Sequence, residues 1–210
     1  MRRCHMSMSN SAAGQSSNSD KEIVTDISSF YRLPRRIFLD SSVLQNLLSY
    51  GGFIWEGEAL PNSAKVLKDR FGLAKLEALR AIMFVNQRAG FEFALSECSL
   101  EEVQASGDPR YLQWAHDVLD HWQACIEELG GLAPTDESLA AKLDSHSFGY
   151  LSEKDRLLIK DAVLLGCEAF LTFENKLASR GEHIEREVGI KVVTPVQYWE
   201  LLRPWARLFV

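Results

Sequence analysis

The sequence has few cysteines, and their spacing excludes the common uses of this residue. Four cysteines occur among 210 residues, and none pairs in a C-x-x-C spacing. A zinc ribbon is therefore not expected, and neither is a disulfide framework of the kind found in small secreted domains. Cys98 and Cys167 lie in apolar segments, as small core residues do. This usage favours a reducing, cytoplasmic setting.

Long apolar runs are also missing. No stretch approaches the roughly 18 apolar residues that cross a bilayer, and the beginning of the chain lacks the apolar middle of a signal peptide. Residues 1–21 are rich in Ser and Asn and poor in apolar side chains. Such a segment cannot bury enough surface to offset its ordering entropy, so we expect a disordered tail and no contact with a membrane.

Positive charge is not in excess, because the formal net charge is −6. This argues against a protein that coats nucleic acid through bulk charge, although an enzyme that grips a short strand locally is still allowed. The G-x-x-x-x-G-K-[ST] motif does not occur, which excludes a P-loop phosphoryl transferase. Apolar residues make up 46% of the chain, enough for one buried core.

Short apolar stretches alternate with segments of helical periodicity. We predict strands at 36–39, 91–95, 168–172 and 190–195. This alternation predicts an α/β fold with three layers, α/β/α, around a central, mostly parallel sheet of four or five strands. The domain is expected to span residues 35–203, and residues 204–210 form a short C-terminal extension.

The helical periodicity predicts five principal helices and one capping box. The helices are expected directly after Asp40, over 63–88 with a break near Gly72, over 108–130, over 153–165 and over 195–202. Ser99, followed by Glu102 three residues later, fits a capping box at the start of a further helix. Residues 51–63 are predicted to form a loop.

Four acids fall where this fold would bring them together. Asp40 ends the first strand, Glu102 follows the second, Asp155 opens the helix before the third, and Glu174 follows that strand. Ligands of parallel sheets bind at the carboxyl ends of the strands. Crowded carboxylates need a counter-charge, and Mg²⁺ or Mn²⁺ prefers such oxygen ligands. A phosphatase with Asp40 as nucleophile fits less well, because Ser42 stands where a second Asp is expected.

Each acid also has an ordinary structural interpretation. Asp40 can cap the helix that follows it, Asp155 can form a capping box with Ser152, and Glu174 can be an exposed turn residue. Glu102, like its neighbour Glu101, suits the positive first turn of a helix.

Two further acids and a set of basic residues accompany these four. Glu97 competes with Glu102 as a ligand, whereas Asp161 lies six residues after Asp155 and points to another face of its helix. The basic residues near the same edge are Lys154, Arg156, Lys160, Lys176 and Arg180. They are either solvated surface charge or phosphate contacts, with Lys154, Arg156 and Lys176 the chief candidates for binding substrate.

The order of these motifs resembles that of the PIN-domain family of nucleases. The resemblance rests on "IFLDSSVLQNLL", "FALSECSLEEV", "EKDRLLIKDAVLLGCEAFLT", "LTFENKL" and the closing "VVTPVQYWELL". It runs from about Arg36 to Leu202 and is weakest between Ser106 and Tyr150. The fourth position departs from the family, which usually has Asp where Glu174 stands.

This resemblance implies an endoribonuclease, a hydrolase that cleaves phosphodiester bonds of RNA with Mg²⁺ or Mn²⁺. Asp40, Glu102, Asp155 and Glu174 would be the catalytic metal ligands, and Ser41 and Thr172 would be supporting polar groups. In the toxin–antitoxin branch of the family a small antitoxin blocks the cleft, and homodimers are common. The alternative is a catalytically weak PIN fold that serves as an RNA- or protein-binding module.

Overall fold

The computed structural model describes residues 27–104, 108–128 and 137–209. The predicted tail, residues 1–21, lies outside the described residues, and so does the predicted end of the long helix at Gly130.

Four short strands form one sheet in which every neighbouring pair is parallel. The strands are β1 (Arg36–Leu39), β2 (Glu92–Ala94), β3 (Ala169–Leu171) and β4 (Lys191–Val193). Their order is β2-β1-β3-β4, and Ile37 stands opposite Phe93 on one side and Ala169 on the other. Each strand lies within its predicted range, and the α/β class with a parallel sheet is confirmed.

Helices connect and cover the strands. In chain order they are α1 (Ile27–Tyr31), α2 (Ser41–Ser49), α3 (Gly51–Trp55), α4 (Gly72–Ala89), α5 (Glu97–Gln104), α6 (Pro109–Glu128), α7 (Glu137–Leu143), α8 (Glu153–Leu164), α9 (Asn175–Ala178), α10 (Gly181–Val188) and α11 (Pro195–Leu202). Short 3₁₀ helices occupy Lys65–Lys68, His146–Phe148 and Arg203–Leu208. The predicted break near Gly72 is confirmed, since a 3₁₀ turn precedes α4 there.

The strands are apolar on both faces because helices cover both. Ile37 and Leu39 join a core with apolar residues of α2, α4 and α11. Phe38 points the other way, into a core with α7, α8 and α10, where its ring stacks on that of Phe170 at 5.3 Å. A sheet covered on both faces explains why these strands read as continuous apolar runs and not as alternating patterns.

Two local predictions are wrong, and a helix was missed. The predicted loop after Tyr50 contains α3, although its sequence begins with two glycines. Helix α5 begins at Glu97, so Ser99 lies inside it and is not its N-cap; the Ser99 N–H donates to Ser96 Oγ at 3.4 Å. Helix α10 was not predicted, because half of its residues are charged and Ile184 is its fully buried large apolar side chain.

Candidate active site

The sheet has its topological switch point between β1 and β3. The chain passes from β1 to β2 on one side and then places β3 and β4 on the other. All four strands are parallel, so their carboxyl ends share one edge. Open α/β sheets bind ligands in the crevice at this point. Asp40 ends β1 and Thr172 ends β3, so the two residues face each other across the crevice.

Asp40 is buried and is held by two hydroxyl groups. Its side chain is 6% exposed. Thr172 Oγ1 donates to Asp40 Oδ2 at 2.7 Å, and Ser42 Oγ donates to the same oxygen at 2.5 Å. Asp40 occupies the N-cap position of α2, yet its side chain caps no backbone N–H there. Its interpretation as a simple helix cap is therefore wrong, and its carboxylate belongs to the crevice.

Both hydroxyls also accept backbone hydrogen bonds from the turn after β3. The Phe173 N–H donates to Ser42 Oγ at 3.0 Å, and the Glu174 N–H donates to Thr172 Oγ1 at 3.0 Å. Each hydroxyl thus connects Asp40, through two hydrogen bonds, to the backbone of the turn that contains Glu174. Thr172 supports Asp40, as expected, but Ser42 and not Ser41 is its serine partner.

Sequence reasoning missed this role of Ser42 because two serines follow Asp40 and only the helix geometry decides which one turns back. The Ser41 hydroxyl is buried without a regular hydrogen bond and faces Glu102.

A buried lysine supports the turn from behind. Lys75, on α4, is 3% exposed. Its Nζ donates to the Phe173 carbonyl at 2.7 Å and to Asp69 Oδ2 at 3.1 Å. A buried ammonium is stable only when its donors are satisfied, so this lysine fixes the backbone immediately before Glu174. Sequence reasoning missed this role, because a lysine on an amphipathic helix is expected at the surface.

Asp155 lies in a capping box at the start of α8. The Ser152 N–H and hydroxyl both donate to Asp155 Oδ2, at 3.0 and 2.7 Å, and the Asp155 N–H donates to Ser152 Oγ at 3.0 Å. The structural interpretation of this residue is therefore correct. It does not remove Asp155 from the site, because a capping box places its carboxylate at the very start of the helix, beside the sheet edge.

The charges of Asp40 and Asp155 act on the carboxyl group of Glu174. Burial and the negative charges of Asp40 and Asp155 raise the pKa of its carboxyl, and the positive charges of Lys154 and Lys176 offset part of this effect. Like charges raise the pKa of an acid only when they lie close by. The structure thus brings these three carboxylates to one edge of the sheet.

Glu102 is half-exposed and forms an ion pair with Lys154. Burial raises the pKa of the Glu102 carboxyl, but the Lys154 ammonium and the Ser41 hydroxyl outweigh this effect, and the pKa is lowered overall. The two residues line a cleft of about 590 Å³ between α5, α7 and α8, whereas Asp155 and Glu174 line a smaller one. The start of α8 thus separates Glu102 from the other acids. We call the four carboxylates together the acidic rim.

The two less favoured acids lie elsewhere. Glu97 accepts a hydrogen bond from Gln123 on α6 at 3.0 Å and is exposed. Asp161 is half-buried, and burial raises the pKa of its carboxyl although the Ser96 hydroxyl and the Lys160 charge lower it. Neither residue is among those whose charges act on Glu174.

The predicted basic residues divide between the two clefts. Lys154 and Arg156 line the larger cleft, and Arg156 pairs with Asp144 at 3.5 Å. Lys176 lines the smaller cleft together with Arg180. Lys154 and Arg156 are therefore held in ion pairs, whereas Lys176 and Arg180 form none with a described carboxylate. The charges of Lys154 and Lys176 both act on Glu174.

The acidic rim does not fit a metal ion in the arrangement observed. Within residues 27–104, 108–128 and 137–209, no three His, Cys, Asp or Glu side chains are gathered closely enough to hold one. The oxygen donors are of the type that Mg²⁺ prefers, but Glu102 is paired with Lys154, and the bonds from Ser152 end on Asp155.

Comparisons with protein-family models, with curated proteins and with solved structures find no match to this chain. Among the described helices, none is long and apolar enough to cross a membrane.

Proposed function

We propose that this protein is a hydrolase that cleaves phosphodiester bonds of RNA at the acidic rim. The observation that carries the proposal is the position of Asp40, Asp155 and Glu174 at one sheet edge, close enough that two of them raise the pKa of the third. Crowded acids repel each other and lower the stability of the fold, and carboxylates with perturbed pKa values cluster at active sites. The resemblance to PIN-domain nucleases adds the reaction type and the substrate class.

The residues have separable roles in this proposal. Asp40 is held in one orientation, because it is buried and two hydroxyl groups donate to its Oδ2. It is the fixed reference for the reacting phosphate. Glu174 is exposed and keeps its proton to a higher pH than an ordinary Glu, so it is the group best suited to exchange a proton with an attacking water or a leaving oxygen.

Mg²⁺ or Mn²⁺ belongs to the same proposal. When bound, such an ion would stabilise charge on the phosphate and lower the pKa of a bound water. To hold it, Asp40, Asp155 and Glu174 would have to move closer together than they lie among the described residues, and Glu102 would join only if its ion pair with Lys154 opened.

The test is cleavage of a labelled single-stranded RNA with Mn²⁺ and with EDTA. We expect Mn²⁺-dependent cleavage by the wild-type protein and a loss of at least about 100-fold in Asp40→Asn, because an oriented charge at the reacting centre is removed. Glu97→Gln is the matched control, since it removes an exposed carboxylate bonded to Gln123 and should keep full activity. Equal cleavage by the wild type and Asp40→Asn would refute the proposal.

A second candidate is a binding module that holds RNA or protein without cleaving it. The observation in its favour is that the described acids are not gathered around a common point. The same experiment separates the two, because a binding module retains RNA in both Mn²⁺ and EDTA and leaves it intact.

A further inference from the structure

The smaller cleft beside the acidic rim is lined by both acidic and basic residues. Its volume is about 290 Å³. Its lining includes two acids, Asp155 and Glu174, together with Lys176, Arg180 and Tyr150. We call it the basic cleft. Its acids are those of the proposed reaction. Lys176 was a candidate for binding substrate from the sequence, and Tyr150 has had no role so far.

Arg180 lies on an aromatic surface. Its guanidinium carbon is 5.2 Å from the centroid of the Tyr150 ring. The Tyr150 hydroxyl is hydrogen-bonded to His183 Nδ1 at 2.9 Å, and the His183 ring in turn packs on Phe148 at 5.0 Å. Phe148 is fully buried. A chain of contacts therefore runs from the core to the guanidinium and holds it flat, which reduces the entropy that Arg180 loses when it binds an anion.

The two cations of the basic cleft keep their charge available. Neither Lys176 nor Arg180 is in an ion pair with a described carboxylate. Lys154 and Arg156, in the larger cleft, are paired with Glu102 and Asp144. In a chain of net charge −6, unpaired cations next to crowded acids create a local change of sign.

This change of sign suits a polyanion that must approach an acidic centre. Carboxylates alone repel phosphate, and cations a few ångströms away compensate that repulsion. A planar guanidinium can also donate two parallel hydrogen bonds to one phosphate, which a lysine cannot. The walls are thus arranged for a chain of phosphates, one at the rim and the next in the basic cleft.

We propose that the basic cleft binds the phosphate of single-stranded RNA that neighbours the one at the acidic rim. Arg180 and Lys176 hold this phosphate, and Tyr150 is a positioning residue that keeps the guanidinium in place. The inference rests on the proposed function, and it adds where the substrate lies and which residues hold it.

The test measures binding and not cleavage. A fluorescent single-stranded RNA is titrated in EDTA at several salt concentrations, and affinity is read from fluorescence anisotropy. Each neutralised phosphate of a single strand contributes about 0.7 to the slope of log K against log salt. Because Lys176 and Arg180 hold one phosphate, Lys176→Gln/Arg180→Gln should lower the slope by about 0.7 and weaken binding at low salt at least about tenfold.

The chain offers a matched control on α4. Arg80 also lies over an aromatic ring, with its guanidinium carbon 4.9 Å from the Phe53 centroid, and Arg88 is exposed in the last turn of α4, near the opposite edge of the sheet. Arg80→Gln/Arg88→Gln removes the same charge and should leave the slope unchanged. Equal losses in both double variants would mean that only net charge matters, and would overturn the proposal.

Tyr150 provides a second, independent measurement. Tyr150→Leu removes the ring under Arg180 and should weaken binding about threefold. Tyr150→Phe keeps the ring but loses the hydrogen bond to His183, and should weaken binding less than Tyr150→Leu. The proposal that the basic cleft binds RNA is overturned if Lys176→Gln/Arg180→Gln has the affinity of the wild type, or if the wild type does not bind RNA. If the cleft variants weaken RNA binding as expected but Asp40→Asn cleaves RNA as fast as the wild type, the proposed nuclease function is refuted. The basic cleft then remains an RNA-binding site.

Discussion

Asp40 and Asp155 both stand at the start of a helix at the same sheet edge, but different parts of the chain hold them. Asp155 is bonded to Ser152, three residues before it. The Asp40 side chain caps no N–H of the helix that it opens, and its Oδ2 accepts a hydrogen bond from Thr172, 132 residues away. Two aspartates at the same kind of position, the start of a helix, therefore have different hydrogen-bond partners, and tertiary packing decides which partner each one has.

Exposure follows the same division. Asp40 and Thr172 are buried, and the hydroxyl groups around Asp40 donate to it while accepting backbone N–H groups. Asp155 is only partly buried, and Glu174 is exposed. The edge therefore combines a rigid half, built by the sheet, with an adjustable half, built by helix starts and turns. Substitutions in the rigid half should have the larger effects on stability.

The largest effect is expected from Thr172→Val. The change keeps the shape of the side chain but removes a hydrogen bond to a buried carboxylate and leaves the Glu174 N–H without its acceptor. Loss of such a bond costs about 2 kcal/mol, which urea unfolding measures directly. Thr172→Ser keeps the hydroxyl and should cost clearly less, at about 1 kcal/mol for one methyl group. Equal costs for the two variants would show that the bond to Asp40 contributes nothing.

A smaller effect is expected from Ser152→Ala at the adjustable half. It removes the acceptor of the Asp155 N–H at the start of α8, and loss of an N-cap typically costs about 1 kcal/mol. The comparison variant is Ser41→Ala, whose buried hydroxyl makes no regular hydrogen bond, and its removal should be close to neutral. Thermal unfolding of both variants checks this ranking, which a larger loss in Ser41→Ala would reverse.

The smallest effect is expected from Glu174→Gln, and it should depend on pH. The folded protein raises the pKa of Glu174 above the usual 4.5, so the folded state holds this proton more tightly than the unfolded state. Stability from this group is present below pH 4.5 and is lost as the pH rises through the folded pKa.

Glu174→Gln should therefore stabilise the protein at pH 7. Because the residue is exposed and screened, we expect a few tenths of a kcal/mol, or about 1 °C in Tm. The gain should vanish near pH 4, which differential scanning calorimetry at both pH values can resolve. A gain that is the same at pH 4 and pH 7 would mean that charge repulsion is not its source.

Much of the fold could be predicted because its signals are local. The four strands are short runs of apolar and β-branched or aromatic residues, and α11 follows a Thr-Pro pair that forms a capping box with Gln197. Helix α10 was missed because tertiary contact, through Ile184 in the core, stabilises a segment in which half of the residues are charged.

The approximate positions of three acids of the candidate site could be predicted, but their contacts could not. That Asp40, Asp155 and Glu174 share an edge follows from strand direction alone. The partner of each acid does not, because it depends on which side chain turns back at a helix start, as with Ser42, and on which lysine reaches across, as with Lys154 and Glu102. Lys75 is the extreme case, since its burial depends wholly on α4 packing behind the Phe173 turn.

The bond between Asp40 and Thr172 also sets an order of events during synthesis. A ribosome delivers β1, Asp40 and its partner Ser42 early, and Thr172 leaves the exit tunnel only after α8 and β3 have been made. Until then the growing chain carries Asp40 without the hydroxyl group of Thr172. If the protein cleaves RNA, its own transcript and ribosome meet the complete site only after most of the polypeptide has been synthesised.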